Sequence, residues 1–318
     1  MRYVLRADAS QTIGAGHVMR SSAIAEELIA RGKEVLFVGK ISNLPWVEKR
    51  ISGLGFTEIH SEPGTLDLKK GSDVLILDSY KIETSDPFIA PKNWLKIIVI
   101  IDEQTPNYSC DLRIHPGLDI SWLSNSTVPI IGGPKYIPLR SSLSHSLPRI
   151  KENHDSVRIA VVAGGSDPHR LVLELAKILF TFSEDFKALL FTNHSLGDSL
   201  DSRFQYTEIG SRLDGLTQNV DLVLTTASTS SLEFIARGLC VAVVCTFDNQ
   251  KQYYRSLGDI GAAAQIGIRN SDDEWDLDKE KIHFLIKSEQ KRRALIEAAS
   301  GLIDFHGAKR IVDVITTV

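Results

Sequence analysis

Within its first 21 residues the chain places an arginine, an aspartate, two glycines and a histidine between one apolar strand and the next helix, in RADASQTIGAGHVMRS (Arg6 to Ser21). Gly14 and Gly16 permit a tight turn and close backbone approach by a ligand. They leave His17 at a helix start, where the positive helix end favours the neutral imidazole that a general base needs. The dinucleotide fingerprint would need a third glycine where Met19 stands, and the Gly-Lys-Ser/Thr ending of a phosphate loop is absent, so neither pattern fits. Arg6 and Asp8 flank the turn as candidate substrate contacts, and the plain alternative for His17 is a capping or packing histidine.

Further chemistry-bearing loops follow apolar runs. ILDSYKI puts Asp78, Ser79 and Tyr80 after one such run, and Asp78 reads either as a partner for a histidine or sugar hydroxyl, or as a turn cap. IIDEQ repeats the pattern with Asp102 and Glu103, where a structural role is favoured. VVAGGSDPHR ends a run at Gly164 and Gly165 and opens a helix at about Pro168. Its amides suit a phosphate or sugar oxygen, or simply a capped turn. In TTASTSSLEFIARG the hydroxyl residues Ser228, Thr229, Ser230 and Ser231 open a helix directly after a strand, so their donors and the helix dipole can surround a diphosphate. Glu233 in that helix could accept from a ribose diol. Asp248, Asn249 and Gln250 after the next strand could meet a sugar or form a polar turn. The nine histidines are scattered and the cysteines isolated, so the sequence calls for no metal and no cofactor.

The elements that must position these loops alternate. YVLRAD, EVLFVG, DVLILD and LKIIVIID read as strands, with shorter pieces near Leu112 and Ile130, and His17 to Arg31 reads as a helix that Gly32 ends. After a Ser- and Pro-rich connection over 141–156 the alternation restarts with RIAVVAGG, HRLVLELAKILFTF, KALLFT, DLVLTT, TSSLEFIARG and CVAVVCT. β-branched, fully apolar strands alternating with helices predict parallel sheets covered on both faces. The expected fold is α/β, two doubly wound Rossmann-like domains facing a cleft, with sites in the loops after strands. The boundaries are 1–140, a linker at 141–156, and 157–303. From Asp276 onward the chain reads as mainly helical, and the segment 304–318 is a terminal helix that could return to the first domain.

The 318 residues suffice for two domains, and 43% hydrophobic with 24% charged residues is the balance of a globular protein. A net charge of -4 predicts no general attraction to nucleic acid or to anionic membrane. No apolar run reaches the ~20 residues of a membrane span. Three cysteines without paired spacing, and an N-terminus that turns polar after five residues, predict a cytoplasmic protein with reduced thiols.

RADASQTIGAGHVMR resembles the N-terminal signature of the UDP-2,4-diacetamido-2,4,6-trideoxy-β-L-altropyranose hydrolases of pseudaminic acid biosynthesis and of the related spore-coat polysaccharide proteins. LDSYKI, IIDE, CDLRI, YIPLR, AGGSDP, ASTSSLEFIARG, DNQ and GAKRI follow in that family's order. The second half is also similar to the nucleotide-sugar domain of the lipid II-forming N-acetylglucosaminyltransferase. The resemblance implies a GT-B fold and metal-independent hydrolysis of a UDP-sugar, with His17 activating water and inversion at the anomeric carbon. It places Tyr80 and Asn249 at the sugar, and Gly164, Gly165, Ser228 to Ser231 and Glu233 on UDP. The chain departs from the family at Ser79, where a histidine is usual, at Ser141 and Ser142, and at Phe305. A GT-B glycosyltransferase, in which His17 deprotonates an acceptor hydroxyl, and a non-catalytic nucleotide-sugar-binding subunit are the alternatives.

Overall fold

The computed structural model describes residues 1–121, 126–145, 156–194, 201–210 and 213–317. The chain divides into two compact units, Met1–Ser141 with Asp304–Val318, and Ser142–Ile303. Most of the expected connection over 141–156 lies outside the described residues.

The first unit contains β1 (Arg2–Ala7), β2 (Ala9–Ser10), α1 (Gly16–Ala30), β3 (Glu34–Val38), β4 (Ile41–Ser42), α2 (Pro45–Ser52), β5 (Glu58–His60), β6 (Val74–Asp78), β7 (Lys96–Ile100), β8 (Leu112–His115) and β9 (Ile130–Gly132). Seven strands make one sheet in the order β5-β3-β1-β6-β7-β8-β9, every pair parallel; β2 and β4 pair separately. Side chains alternate between its faces with period two. Tyr3, Leu5, Ile76, Ile98 and Ile100 join the core beneath α1, whereas Val4, Leu75, Leu77, Ile97 and Val99 join the opposite core. Helix α1 ends in a left-handed Gly32, with the Lys33 N–H bonded to Leu28 O and the Gly32 N–H to Ile29 O, the Schellman arrangement.

The second face of this sheet differs from the expected helix layer. Irregular chain after β6 covers it, with 3-10 turns at Pro87–Ile89 and Pro91–Asn93, and Ile82, Ile89, Trp94 and Tyr108 pack on the sheet. Pro87 and Pro91 remove helix donors, and the Tyr108 hydroxyl and Trp94 indole donate to Ile82 O and Phe88 O at 2.7 Å each, meeting backbone carbonyls that a helix would satisfy itself.

The second unit runs β10 (Val157–Val162), α3 (Leu171–Phe180), β11 (Phe186–Phe191), β12 (Phe204–Thr207), α4 (Leu213–Leu216), β13 (Leu222–Thr226), α5 (Thr229–Ala236), β14 (Val241–Cys245), α6 (Lys251–Asp259), β15 (Ala264–Arg269), β16 (Trp275–Leu277), α7 (Lys279–Lys287) and α8 (Glu289–Ala299). Its sheet has the order β12-β11-β10-β13-β14-β15-β16, parallel except for the antiparallel edge pair β15/β16. Asp276, expected at a helix start, lies in that edge strand. The helix expected from about Pro168 begins at Leu171. Arg170 is left-handed at φ 55, and the Asp167 carboxylate accepts from the Leu171 and Val172 N–H groups at 2.7 and 3.1 Å, so Asp167 caps the helix across the intervening turn.

The last helix, α9 (Gly307–Thr317), belongs to the first unit. Ile311, Val312 and Ile315 enter the core beneath α1, Arg31 pairs with Asp313 at 2.8 Å, and Arg310 donates to Lys135 O at 2.9 Å. A Cβ on Gly307 would lie 2.0 Å from Ile137 O, so only glycine allows this approach.

Candidate active site

Strand order reverses in each sheet between two neighbours, β1 and β6 in the first unit and β10 and β13 in the second. Open parallel α/β sheets leave a crevice at the carboxyl ends of such strands, because the connections depart to opposite faces. His17 follows β1 through the turn into α1, and Asp78 ends β6. Gly164 follows β10, and Ser228 follows β13. Both groups of sequence candidates therefore stand at a switch point of their own sheet.

In the first unit His17 Nδ1 lies 2.5 Å from Asp78 Oδ1. Arg20, one helical turn after His17, grips the same carboxylate with both ends of its guanidinium, Nε to Oδ2 and Nη2 to Oδ1, each at 2.6 Å. The Ser21 hydroxyl adds a bond to Oδ2 at 3.2 Å. Burial pushes the Asp78 carboxyl up, but the charges of Arg20 and His17 and their hydrogen bonds outweigh it and hold the group well below the usual carboxylate range. An ionised Asp78 is an acceptor only, so Nδ1 carries the imidazole proton and the lone pair falls on Nε2. Among the described residues no hydrogen bond engages Nε2. The arrangement can therefore accept a proton at Nε2 while the carboxylate fixes the ring and balances the imidazolium that forms, the logic of a histidine–carboxylate base.

Tyr80 stands edge-on to the His17 ring, centroids 4.4 Å apart and planes at 85°. Its phenol donates to Asp102. Burial, then the Asp102 and Asp78 charges against the opposing Arg20, push the phenol up, so it stays a neutral donor. Arg6 and Asp8 are paired with one another at 2.5 Å, and Asp8 Oδ1 also accepts the Lys40 N–H at 2.8 Å. They tie the loop after β1 to the loop after β3. Gly14 supplies a positive φ of 80° and donates to Ser10 O at 2.7 Å, and Gly16 is the first residue of α1. Ser79, the departure from the resembled family, is buried.

In the second unit Gly164 is at φ 91°, and a Cβ there would lie 3.6 Å from Thr226 Oγ1, 3.8 Å from Ser230 Oγ and 3.9 Å from Ser228 Oγ. Thr226 and Ser228 share a hydroxyl hydrogen bond at 2.9 Å, and Ser231 Oγ is turned back to Ser228 O at 2.7 Å. Ser228 is the N-cap of α5 yet makes no side-chain cap bond, so its hydroxyl faces the cluster and not the helix N–H groups. Glu233 is buried one turn further on, and Gly165 directly follows Gly164 in the chain. Asn249 is exposed in the 3-10 turn after β14. Gln250, expected at a sugar, uses its carboxamide oxygen to accept from Thr246 N–H and Oγ1 at 2.9 Å each, so that oxygen closes the turn.

Sequence reasoning missed Arg20 and Ser21 and discounted Asp102. The signal for Arg20 was its i+3 spacing from His17, which puts both on one helix face. Thr226, the last residue of its strand, was passed over beside the hydroxyl run that follows it.

No protein-family model matches the chain. An uncharacterized protein of Methanocaldococcus jannaschii is 25% identical over 283 residues, covering 80% of this chain and 57% of its own length. The chain thus spans little more than half of that curated relative. Among solved structures, the glycotransferase of kitacinnamycin superposes with a TM-score of 0.69 at 14% identity, over 99% of this chain and 98% of its own. A Listeria monocytogenes protein assigned as a UDP-N-acetylglucosamine 2-epimerase superposes at 0.68 and 10% identity, over 100% and 96%. Spinosyn rhamnosyltransferase complexed with thymidine diphosphate superposes at 0.64 and 13% identity, over 98% and 100%. The chain has the GT-B fold of these structures, two Rossmann-like α/β units built on largely parallel sheets. Among the described residues no helix is long and apolar enough to cross a membrane.

Proposed function

We propose that the chain is a nucleotide-sugar enzyme in which His17 deprotonates the oxygen nucleophile that attacks the anomeric carbon. The observation that carries this reading is the buried His17–Asp78–Arg20 constellation, with no hydrogen bond on Nε2 among the described residues. The nucleophile's oxygen bonds the anomeric carbon, the bond to the diphosphate oxygen breaks, the diphosphate leaves with the electron pair, and Nε2 takes the proton. A diphosphate, UDP in the first instance, is held at Gly164, Gly165, Ser228, Thr229, Ser230 and Ser231, where hydroxyl donors and the start of α5 meet its charge. Glu233 serves the ribose, and Tyr80 and Asn249 serve the sugar.

Transfer to an acceptor hydroxyl is the reading that the structural comparisons support better, since glycosyltransferases recur among them. Hydrolysis, with water in the acceptor's place, is the second reading. The run of blocks shared with the UDP-sugar hydrolases, the His17 loop first among them, favours it. Cys110, Cys240 and Cys245 are not joined in disulfides, which supports action in the cytoplasm.

The test incubates the protein with UDP-, dTDP- and CMP-sugars, with and without sugar acceptors, and follows nucleotide release. Release only with acceptor supports transfer, and release without it supports hydrolysis. In both cases His17→Asn is expected to lose at least about a hundredfold in rate. Binding without turnover in every mixture, or full activity in His17→Asn, overturns the reading.

A further inference from the structure

The network around His17 does not end at Asp78. A terminal nitrogen of Arg20 lies 3.6 Å from Asp102 Oδ2, and the Tyr80 phenol donates to that same oxygen. The other oxygen, Oδ1, accepts from the Gln104 N–H at 3.1 Å and the Thr105 hydroxyl at 3.2 Å. Asp102 is therefore anchored by the turn that follows β7 and turns its second oxygen toward the His17 group. Three neighbouring strands contribute: α1 after β1 carries His17 and Arg20, β6 ends in Asp78 and leads to Tyr80, and Asp102 follows β7.

With a neutral imidazole this cluster holds one cation, Arg20, and two carboxylates, Asp78 and Asp102, and Tyr80 is uncharged. The side chains of His17, Arg20, Asp78 and Asp102 are 6, 8, 1 and 14% exposed, so water screens their charges weakly. A proton gained by His17 brings the sum of these charges to zero. Asp78 alone is already matched by Arg20; the excess negative charge comes from Asp102.

We propose that Asp102 is a positioning residue for His17, supplying the second carboxylate that balances the cluster only once the imidazole has taken up a proton, and holding Tyr80 against the ring. This rests on His17 as the base of the proposed reaction. It gives Asp102 a part in proton uptake that loop capping would not require. Asp78 and Arg20 touch the imidazole and Tyr80 stands edge-on to it, while Ser21 reaches it through Asp78 and Asp102 through Arg20 and Tyr80.

The test is histidine-selective nitrogen–proton correlation NMR of the full chain between pH 4 and 9, with the His17 signal assigned by its loss in His17→Asn. Asp102→Asn removes the charge and keeps a carbonyl acceptor on one side, either for Tyr80 or for Gln104 and Thr105. The His17 protonation midpoint is expected to move to lower pH by about half a unit or more, with the other histidines unmoved. Asp102→Ser, smaller and equally uncharged, gives the same readout should the first variant not fold. Glu103→Gln, the adjacent exposed carboxylate, should leave the midpoint in place. An unmoved midpoint in the folded Asp102 variants, or a shift to higher pH, overturns the proposal. A shift in a protein that turns over no nucleotide sugar supports the charge coupling while the proposed reaction fails.

Discussion

Asp78 is the residue on which the first unit's chemistry and stability meet. It is buried with its charge met by Arg20, by His17 and by the Ser21 hydroxyl, so replacing it leaves the Arg20 cation buried beside a carboxylate that is 3.6 Å away and already shared with Tyr80. Breaking a buried pair by removing one partner costs about 3–5 kcal/mol, far more than loss of an exposed pair. Asp78→Asn is expected to lower unfolding stability by that amount in urea at pH 7. The pH dependence has a definite sign. The folded-state pKa is depressed, so the contribution is fully present above the unfolded value of about 3.9 and is lost as pH falls through the folded value below it. The part of the wild-type advantage that comes from ionisation of Asp78 itself should persist down to about pH 5 and shrink only in strong acid. An advantage that declines between pH 7 and 5 would assign the stabilisation to another group.

At the scale of elements, the start of α5 and the loop after β10 carry the candidate diphosphate residues of the second unit. Gly164 tests it, because a side chain there meets both a left-handed φ and the three hydroxyls of Thr226, Ser228 and Ser230. Gly238, just past the C-terminus of α5, shares the positive φ at 76° but has nothing within 4 Å of an added Cβ. Each alanine substitution should cost about 1–2 kcal/mol in unfolding for the left-handed backbone. Only Gly164→Ala should also weaken UDP binding, by about tenfold or more in calorimetry, a loss of roughly 1.4 kcal/mol. Equal effects of the two variants on UDP binding would count against a diphosphate at this loop. At the same scale Gln250 gives its carboxamide oxygen to two donors from Thr246, the polar turn that the residues after this strand also read as.

For the whole molecule, the two units build their cores from different stretches of the chain. The core beneath α1 draws on Ile311, Val312 and Ile315 of α9, almost the full chain length away, whereas the core beneath α3 in the second unit draws on residues between 157 and 296. Ile311→Ala should create a cavity costing about 2–5 kcal/mol. Hydrogen exchange should then accelerate in β1, β3, β6 and α1 while β10, β11, β13 and β14 keep their protection. Equal loss in both units would show that they unfold as one.

Much of this architecture was readable locally. Val74–Asp78 and Val241–Cys245 are buried throughout and are apolar almost throughout, which is how strands covered on both faces read. The α1 pattern runs to a glycine whose left-handed turn stops the helix, and the candidate loops all fall just after apolar strands. These features depend on side-chain period and turn chemistry, which neighbouring residues carry between them. What the amino-acid order did not reveal is which charges meet. Arg20 and Asp78 are 58 residues apart, and Asp102 comes from a third strand. They converge because the sheet sets β1, β6 and β7 side by side, and strand order is a property of the packed sheet rather than of any segment. The irregular layer over β6 and β7 has the same origin. Its prolines forbid helix, but only burial against the finished sheet determines that Ile82, Ile89, Trp94 and Tyr108 become its core. The sequence alone determined His17 as a candidate base; tertiary structure gave it Asp78, Arg20 and Asp102, because burial makes those charges strong and sheet order brings them within reach.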